Sequence, residues 1–501
     1  MAEFVARPII GLEIHVQLAT RTKMFCGCPL EFGAPPNSRV CPVCGGLPGA
    51  LPVINRQAFE YAVRTALALN CRIAALTKWD RKSYYYPDLP KNYQISQYDL
   101  PLGSDGRFEI SAAEVGDAAG AESTSTAGTR AVRIRRAHLE EDAGKNTHEG
   151  LDHTRVDLNR AGTPLLEIVT EPDLANADET YAFCVELQRL VRHLGVSEAD
   201  MQKGHMRFEP NVNVAITFEG REYRTPISEI KNLNSFRHVH DAVAYEIRRQ
   251  VAAWEADRDY TLDKLGKMNF GWDDVRGVTE FQRGKEEAHD YRYFPDPDLT
   301  PVTVDDAWLN ELRGGLCELP LTRVSRYVEQ HGLSRVDADN LAADRASAEL
   351  FDAAVAAGAD GRTLARQFLS FWAAEANRRQ GTIAKLGVDP AHMADLARLV
   401  HEGLINATTA AGVASMLIER RQSPTVIVEA EGMLQVRDEG AMERWINEAI
   451  AANPKAWADA KGIPKKAQAA LGFIRGQVMK LSAGKADPRM VGELLEKKLR
   501  E

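Results

Sequence analysis

Glu13 and His15 stand two residues apart in Gly11-Leu12-Glu13-Ile14-His15-Val16-Gln17-Leu18, a run in which apolar residues alternate with polar ones. In a β-strand that spacing puts the carboxylate and the imidazole on one face, and Leu12, Ile14 and Val16 on the other. Two later segments carry acids in similar surroundings: Glu140 and Glu141 follow Leu139, and Glu167 sits in Thr163-Pro164-Leu165-Leu166-Glu167-Ile168-Val169. Three separated segments thus offer hard oxygen ligands. If they converge, they make a site for a divalent cation such as magnesium, which takes carboxylates together with the oxygens of a bound phosphate. The alternative is that each acid is solvated on the polar face of an antiparallel sheet. Spacing alone leaves both open.

A second cluster is sulfur-based. Of the seven cysteines, Cys26, Cys28, Cys41 and Cys44 fall within nineteen residues, while Cys71, Cys184 and Cys317 are isolated. An odd number does not make a disulfide framework. Cys26-x-Cys28 followed by Cys41-Pro42-Val43-Cys44-Gly45-Gly46 reads as two knuckles presenting four thiolates to one tetrahedral zinc ion. Four thiolates leave no open position, so the ion would be structural. Reduced structural cysteines are the alternative. Other catalytic signatures are absent. Ala143-Gly144-Lys145-Asn146 resembles the end of a phosphate-binding loop, but Leu139 stands at its first glycine and Asn146 at its magnesium-binding hydroxyl. There is no Gly-x-Ser-x-Gly elbow and no His-Glu-x-x-His helix.

The elements that must carry these residues change character along the chain. Up to about residue 305 the texture is strand-rich, with Val132 and Ile134, and Val212 and Val214, alternating with polar neighbours. Helices are expected near Arg56 to Leu69 and Asp178 to Leu194, and the Gly, Ala, Ser and Thr residues between Glu114 and Arg130 read as a hairpin tip. Pro295, Pro297 and Pro301 mark the end of this segment. The spacing beyond is helical, with Leu364, Phe368, Leu369 and Trp372 on one face, and Trp445, Ile446, Ala449 and Ile450 in a later unit. The expected architecture is α+β: a mixed or antiparallel sheet domain with a zinc knuckle (1–305), a helical domain (306–425) and a small helical tail (426–501).

At 501 residues the chain is too long for one core, and 44% hydrophobic with 27% charged residues is the balance of a folded, soluble protein. No apolar run is long enough to span a bilayer, and the first residues lack a signal-peptide core, which suggests a cytoplasmic protein. The net charge of −9 is unevenly spread. From Lys455 to Glu501 there are eleven Lys and Arg against five acids, so the tail carries 11 − 5 = +6 and the rest −15. A basic end on an acidic body is the footprint of a nucleic-acid module, unless it is a solvated helical face.

Seven ordered strings carry a resemblance: GLEIHVQL from Gly11, YYYPDLPKNYQISQY from Tyr84, HLEEDAGK from His138, DLNRAGTPLLEIVTEPD from Asp157, EIKNLNSFR from Glu229, DYRYFPDPDL from Asp290 and QVMKLSAGKADPRMVGELLEKKL from Gln477. Together they resemble the B-subunit family of the aspartyl/glutamyl-tRNA(Asn/Gln) amidotransferases (the GatB family), from Gly11 to Leu499. One string departs: Phe208-Glu209-Pro210 stands where many members have Cys-Asp-Ala. It holds no expected ligand, so local packing is all it is expected to affect.

The resemblance implies a protein that uses ATP to phosphorylate the side-chain carboxylate of misacylated Glu-tRNA(Gln) or Asp-tRNA(Asn), then amidates it. Ammonia would come from glutamine through an amidase A subunit, within a heterotrimer completed by a small C subunit. The misacylating synthetase would be a further partner. It also implies that Glu13, His15, Glu140 and Glu167 form the magnesium platform, with His15 acting directly, through water, or on Glu13. Lys91, Asn159 and Arg160 are candidates for phosphates or the terminal adenosine, with structural contacts as the alternative. Tyr84, Tyr85, Tyr86 and Tyr93 would stack on a base or form a buried aromatic cluster. The segment Asp290 to Leu299 would close the cradle or dock the amidase. Lys465, Lys466, Lys480 and Lys485, in a YqeY-like tail, would meet the tRNA body. A non-catalytic tRNA-binding scaffold and a stand-alone metal-dependent phosphotransferase are the competing readings.

Overall fold

The alternation of Leu12, Ile14 and Val16 becomes strand β1 (Val5–Gln17) in a computed structural model that describes residues 4–111, 129–148, 150, 152–284, 291–436, 438–462, 464–482 and 484–500. Seven further long strands follow: β2 (Gly103–Ser111), β3 (Thr129–Glu141), β4 (Pro164–Thr170), β5 (Met206–Phe218), β6 (Ile227–Lys231), β7 (Lys267–Asp273) and β8 (Val278–Arg283). With two short strands, Arg72–Ile73 and Arg221–Arg224, they form one ten-stranded sheet in the order β8-β7-β6-β5-β1-β4-β3-β2 and then Arg72–Ile73, with Arg221–Arg224 on β5. Every pairing is antiparallel except that of β6 with β7, so the sheet is mixed, as expected. The stretch read as a hairpin tip lies, over residues 114–128, outside the described residues.

One face of the sheet is apolar and covered by helices. Helices α1 (Arg56–Ala68), α2 (Ala177–His193) and α3 (Phe236–Ala256) bring Phe59, Phe183 and Val239 into one cluster with Ile14, Leu139, Leu166 and Phe208. Asn55 caps α1 by accepting from the amides of Gln57 and Ala58, and Asn176 caps α2 from Glu179. Burial of Leu12, Ile14 and Val16 stabilises by about 2 kcal/mol each. A one-residue slip of β1 would put Glu13 and His15 into that core instead, so the core fixes which face is polar.

The chain divides into two compact units, Met1–Thr322 and Arg323–Glu501. The first therefore continues past residue 305. The helix Asp306–Gly314, expected to open the helical domain, packs on α1 through Phe59 and Trp308, whose rings stack at 5.5 Å. The second unit is helical throughout, with two apolar clusters. One gathers Leu364, Phe368 and Trp372 with Ile427 and Val428; the other gathers Met442, Ile446 and Ala449 with Ile474, Val478 and Leu495. No helix among the described residues is long and apolar enough to cross a membrane.

Candidate active site

The polar face of the sheet collects the acids. Strand register places Arg207, His15, Glu167 and His138 side by side across β5, β1, β4 and β3. Glu13 and Glu140 sit one alternation away on the same face, opposite Val169 and Leu165 respectively. The His15 Nε2 lies 3.2 Å from Glu140 Oε1 and 3.7 Å from Glu167 Oε2, and His138 Nε2 lies 3.3 Å from Glu167 Oε2. All four residues expected as the magnesium platform are thus brought together from three strands. Ligand atoms of Glu13, His15 and Glu167 fall within 4.8 Å of one another, as do those of His138, Glu140 and Glu167, and Glu167 belongs to both groups.

Electrostatics favour the charged forms of His15 and Glu167. Burial opposes the charged form of His15, but the hydrogen bond to Glu140 and the charges of Glu140, Glu167 and Glu13 outweigh it and bring its pKa to about 9. Burial also pushes Glu167 up, yet His138, His15 and Arg136, the last 3.6 Å away, hold it well below the usual carboxylate range. Glu13 moves the other way, raised by burial and by Glu167. The donor set suits a hard divalent cation through its three carboxylates, while a protonated His15 offers its Nε2 as a hydrogen-bond donor to Glu140 and not as a ligand. The Nδ1 atoms of His15 and His138 are buried with no partner among the described residues.

Glu13, Arg136, His138, Glu140 and Glu167 line one wall of a cavity of about 600 Å³, with His15 behind them. At the other side it is bounded by Glu229, Lys231 and Lys267 of β6 and β7, where Lys231 bonds Glu209 and Glu229 at 2.8 and 2.7 Å. The rim is the segment that was expected to close the cradle or dock the amidase. The short strand Phe294–Pro295 pairs with Asp80–Ser83, the Ser83 amide donates to the Tyr291 carbonyl at 2.8 Å, and Tyr291 and Tyr293 face the cavity. Tyr291 and Tyr293 thus form part of the cavity's rim; Asp290 lies outside the described residues.

Several site residues were not foreseen from the sequence. His138 had a signal: His138-x-Glu140 repeats the spacing of Glu13-x-His15, with the two residue types exchanged. Lys82, Arg136, Tyr98 and Tyr293 had none, because only pairing between distant strands brings them here. Glu209 corrects an expectation. The departing Phe208-Glu209-Pro210 does more than pack, since Glu209 stands directly across from Glu13 and anchors Lys231.

Lys91, Asn159 and Arg160 do not line this cavity. Lys91 forms a buried pair with Glu141 at 2.7 Å, and Glu141 also accepts from the Ile95 amide. Asn159 accepts from the Arg39 amide at 2.8 Å and donates to the Pro35 carbonyl at 2.7 Å. Arg160 donates to the carbonyls of Ala143 and Gly144. The tyrosines separate: Tyr85 and Tyr86 are 71% and 60% exposed, which excludes one buried cluster, while Tyr93 lies under Arg81 at 4.3 Å.

The cysteine lobe is a separate centre. Four sulfurs, of Cys26, Cys28, Cys41 and Cys44, lie within 4.8 Å of one another, with Cys44 at 3.9 Å from Cys41 and 4.0 Å from Cys28. Tetrahedral zinc with bonds of about 2.3 Å requires sulfurs about 3.8 Å apart, so the set fits. Lys23 is fully buried, and its ammonium donates to Cys44 Sγ at 3.4 Å and the Leu158 carbonyl at 3.1 Å, with no carboxylate paired to it among the described residues. The hydrogen bond from Cys26 pulls Cys44 down to about 4 against the effect of burial, and Lys23 adds to it. Burial pushes Cys28 up to about 11. In the tail, Lys480 and Lys485 are exposed, whereas the side chains of Lys465 and Lys466 lie outside the described residues.

Comparison with known proteins agrees with this architecture. Residues 8–310 match the family described as the GatB/GatE catalytic domain, and residues 349–499 match the one described as the GatB domain. The chain is 45% identical over 492 residues to the B subunit of the aspartyl/glutamyl-tRNA(Asn/Gln) amidotransferase of Rhodopirellula baltica, covering 97% of this chain and 95% of that one. It is 43% identical to the corresponding protein of Thermotoga maritima (98% and 99% covered) and 42% identical to that of Persephonella marina (98% and 99%).

Proposed function

The chain belongs to the B-subunit family of aspartyl/glutamyl-tRNA(Asn/Gln) amidotransferases, and from that premise we propose that it activates the side-chain carboxylate of a misacylated tRNA with ATP and then amidates it. A carboxylate is a poor electrophile because its leaving group would be oxide. Transfer of a phosphoryl group onto one oxygen turns that oxygen into a phosphate leaving group, after which ammonia attacks the carbonyl carbon.

The observation that supports this reading is the convergence of Glu13, Glu140 and Glu167 on one wall of an open cavity. A scaffold that only held tRNA would have no use for three acids gathered at that cost. Magnesium, held by these acids with His15 and His138 beside them, would neutralise the phosphates of the nucleotide and the transferring phosphoryl group. Glu167 orients both imidazoles and Arg136, so the site keeps one arrangement before substrate arrives. The rim tyrosines restrict water where the activated acid is exposed to hydrolysis. Ammonia comes from a glutamine-hydrolysing amidase partner, a small third protein completes the complex, and the basic tail meets the tRNA body. Zinc on the four cysteines would hold the lobe of residues 23–44 in shape without entering the chemistry.

The test uses the chain with and without an amidase partner, supplied with ATP, magnesium, ammonium and each misacylated tRNA. Amide formation that requires ATP is expected. Binding of tRNA with no amide formed from either substrate would favour the scaffold.

A further inference from the structure

We propose that Lys82 receives the substrate's side-chain carboxylate, holding one of its oxygens through phosphoryl transfer and through the displacement that follows, an assignment that rests on the amidotransferase reading above. Lys82 lies in the strand Asp80–Ser83 at the cavity rim. Strand alternation parts it from Arg81, which turns to Asp296 at 3.0 Å and Asp298 at 2.7 Å, while Lys82 enters the cavity. Its ammonium lies 5.3 Å from the Tyr291 ring centre and 6.0 Å from that of Tyr84. No carboxylate among the described residues comes within the 4.0 Å of an ion pair.

The other basic side chains around the cavity are engaged. Arg136 and His138 are on Glu167, His15 is between Glu140 and Glu167, Lys231 is on Glu209 and Glu229, and Lys267 is on Glu229. Arg283 bonds the Asn269 side-chain oxygen at 2.8 Å once that amide is turned to present it. Lys82 and Arg283 are therefore the cavity cations that, among the described residues, can meet an incoming anion without first losing an acidic partner, and of the two Lys82 stands within reach of the charges of Glu140 and Glu167. A carboxylate entering beside Glu13, Glu140 and Glu167 is repelled by all three, so it needs such a partner. Aromatic faces hold the ammonium by cation–π attraction and leave its N–H donors free to turn toward a ligand.

In the first step a carboxylate oxygen bonds to the terminal phosphorus of ATP as the bond to the bridging oxygen breaks and ADP leaves with the electron pair. Ammonia then bonds to the carbonyl carbon, the carbon–oxygen bond breaks, and inorganic phosphate leaves with that pair while nitrogen sheds one proton. Lys82 stays protonated throughout. It first neutralises the carboxylate and then the oxygen charge that builds up as phosphate departs.

The experiment uses the complex of this chain with its amidase, ammonium as donor, and the variants Lys82→Met, Lys82→Gln and Lys82→Arg. For Met and Gln, kcat/KM for misacylated tRNA should fall by about 100-fold or more while KM for ATP stays within about threefold. Arg, which also pairs with carboxylates, should recover at least about tenfold. Hydroxylamine trapping should show fewer acyl phosphates per ATP consumed in Lys82→Met. Folded Met or Gln variants with unchanged kcat/KM would overturn the assignment, as would a loss confined to KM for ATP. A wild-type complex that makes no amide with either tRNA would instead overturn the amidotransferase reading itself, and Lys82's role with it.

Discussion

Replacing Glu167 by Gln removes one negative charge and almost no volume from the centre of the cluster. Glu167 lies 3.3 Å from His138, 3.6 Å from Arg136 and 3.7 Å from His15, and it belongs to both groups of metal-ligating atoms. A unit charge about 4 Å from the transferring phosphoryl group or its cation, at an effective dielectric constant of about 20, interacts by about 4 kcal/mol. That energy corresponds to about a thousandfold in rate. Part of the loss will appear as stability, because the buried His138 and the half-buried His15 and Arg136 then face a neutral acceptor, at a cost of about 1–3 kcal/mol. The assay follows ATP-dependent amide formation on each misacylated tRNA, with tRNA affinity measured separately and folding checked by thermal melting. Turnover should fall by about 10³-fold with tRNA affinity within about threefold, since the tail is untouched. A folded Glu167→Gln variant that retains turnover within about fivefold would refute the claim that this charge acts on the reaction.

Other outcomes follow from the same geometry. The purified protein should carry about one zinc per chain, and Cys44→Ser should lose it and lower the melting temperature, as metal analysis beside calorimetry will show. Lys231 and Lys267, against the effect of burial, hold the Glu229 pKa down at about 2, so its contribution to stability is complete above its unfolded value and is lost as pH falls through about 2. Glu229→Gln should therefore melt lower than the wild type at neutral pH, and the gap should narrow below about pH 4. Lys480→Ala and Lys485→Ala should each reduce the salt dependence of tRNA binding by about 0.9 in log–log slope; an unchanged slope would remove those residues from the interface.

The sheet, two of its three covering helices and the strand carrying Glu13 and His15 were legible because alternation and helical periodicity are local properties; the helix Phe236–Ala256 was not expected. Helices expected at Arg56 to Leu69 and Asp178 to Leu194 are Arg56–Ala68 and Ala177–His193. Boundaries between units were less legible. The proline cluster looked like an end, yet Trp308 returns to stack on Phe59, a contact that local pattern does not encode. Donor chemistry alone was also a poor guide to Lys91, Asn159 and Arg160, since a lysine or an amide suited to phosphate is equally suited to an internal carboxylate or carbonyl.

By itself the sequence determined that Glu13 and His15 share a strand face, that Glu140 and Glu167 lie in two further segments with similar surroundings, and that four cysteines have the spacing of one tetrahedral site. It did so because side-chain direction along a strand and the reach of a short loop depend on neighbouring residues alone. Only the tertiary structure decided that Glu167 pairs in register with both His15 and His138, that Glu209 faces Glu13, and that Lys82 stands at the rim without an acidic partner among the described residues. Those relations depend on which strands lie side by side. That order is set by burying one apolar face under three helices, and it leaves the charged face open as a cavity.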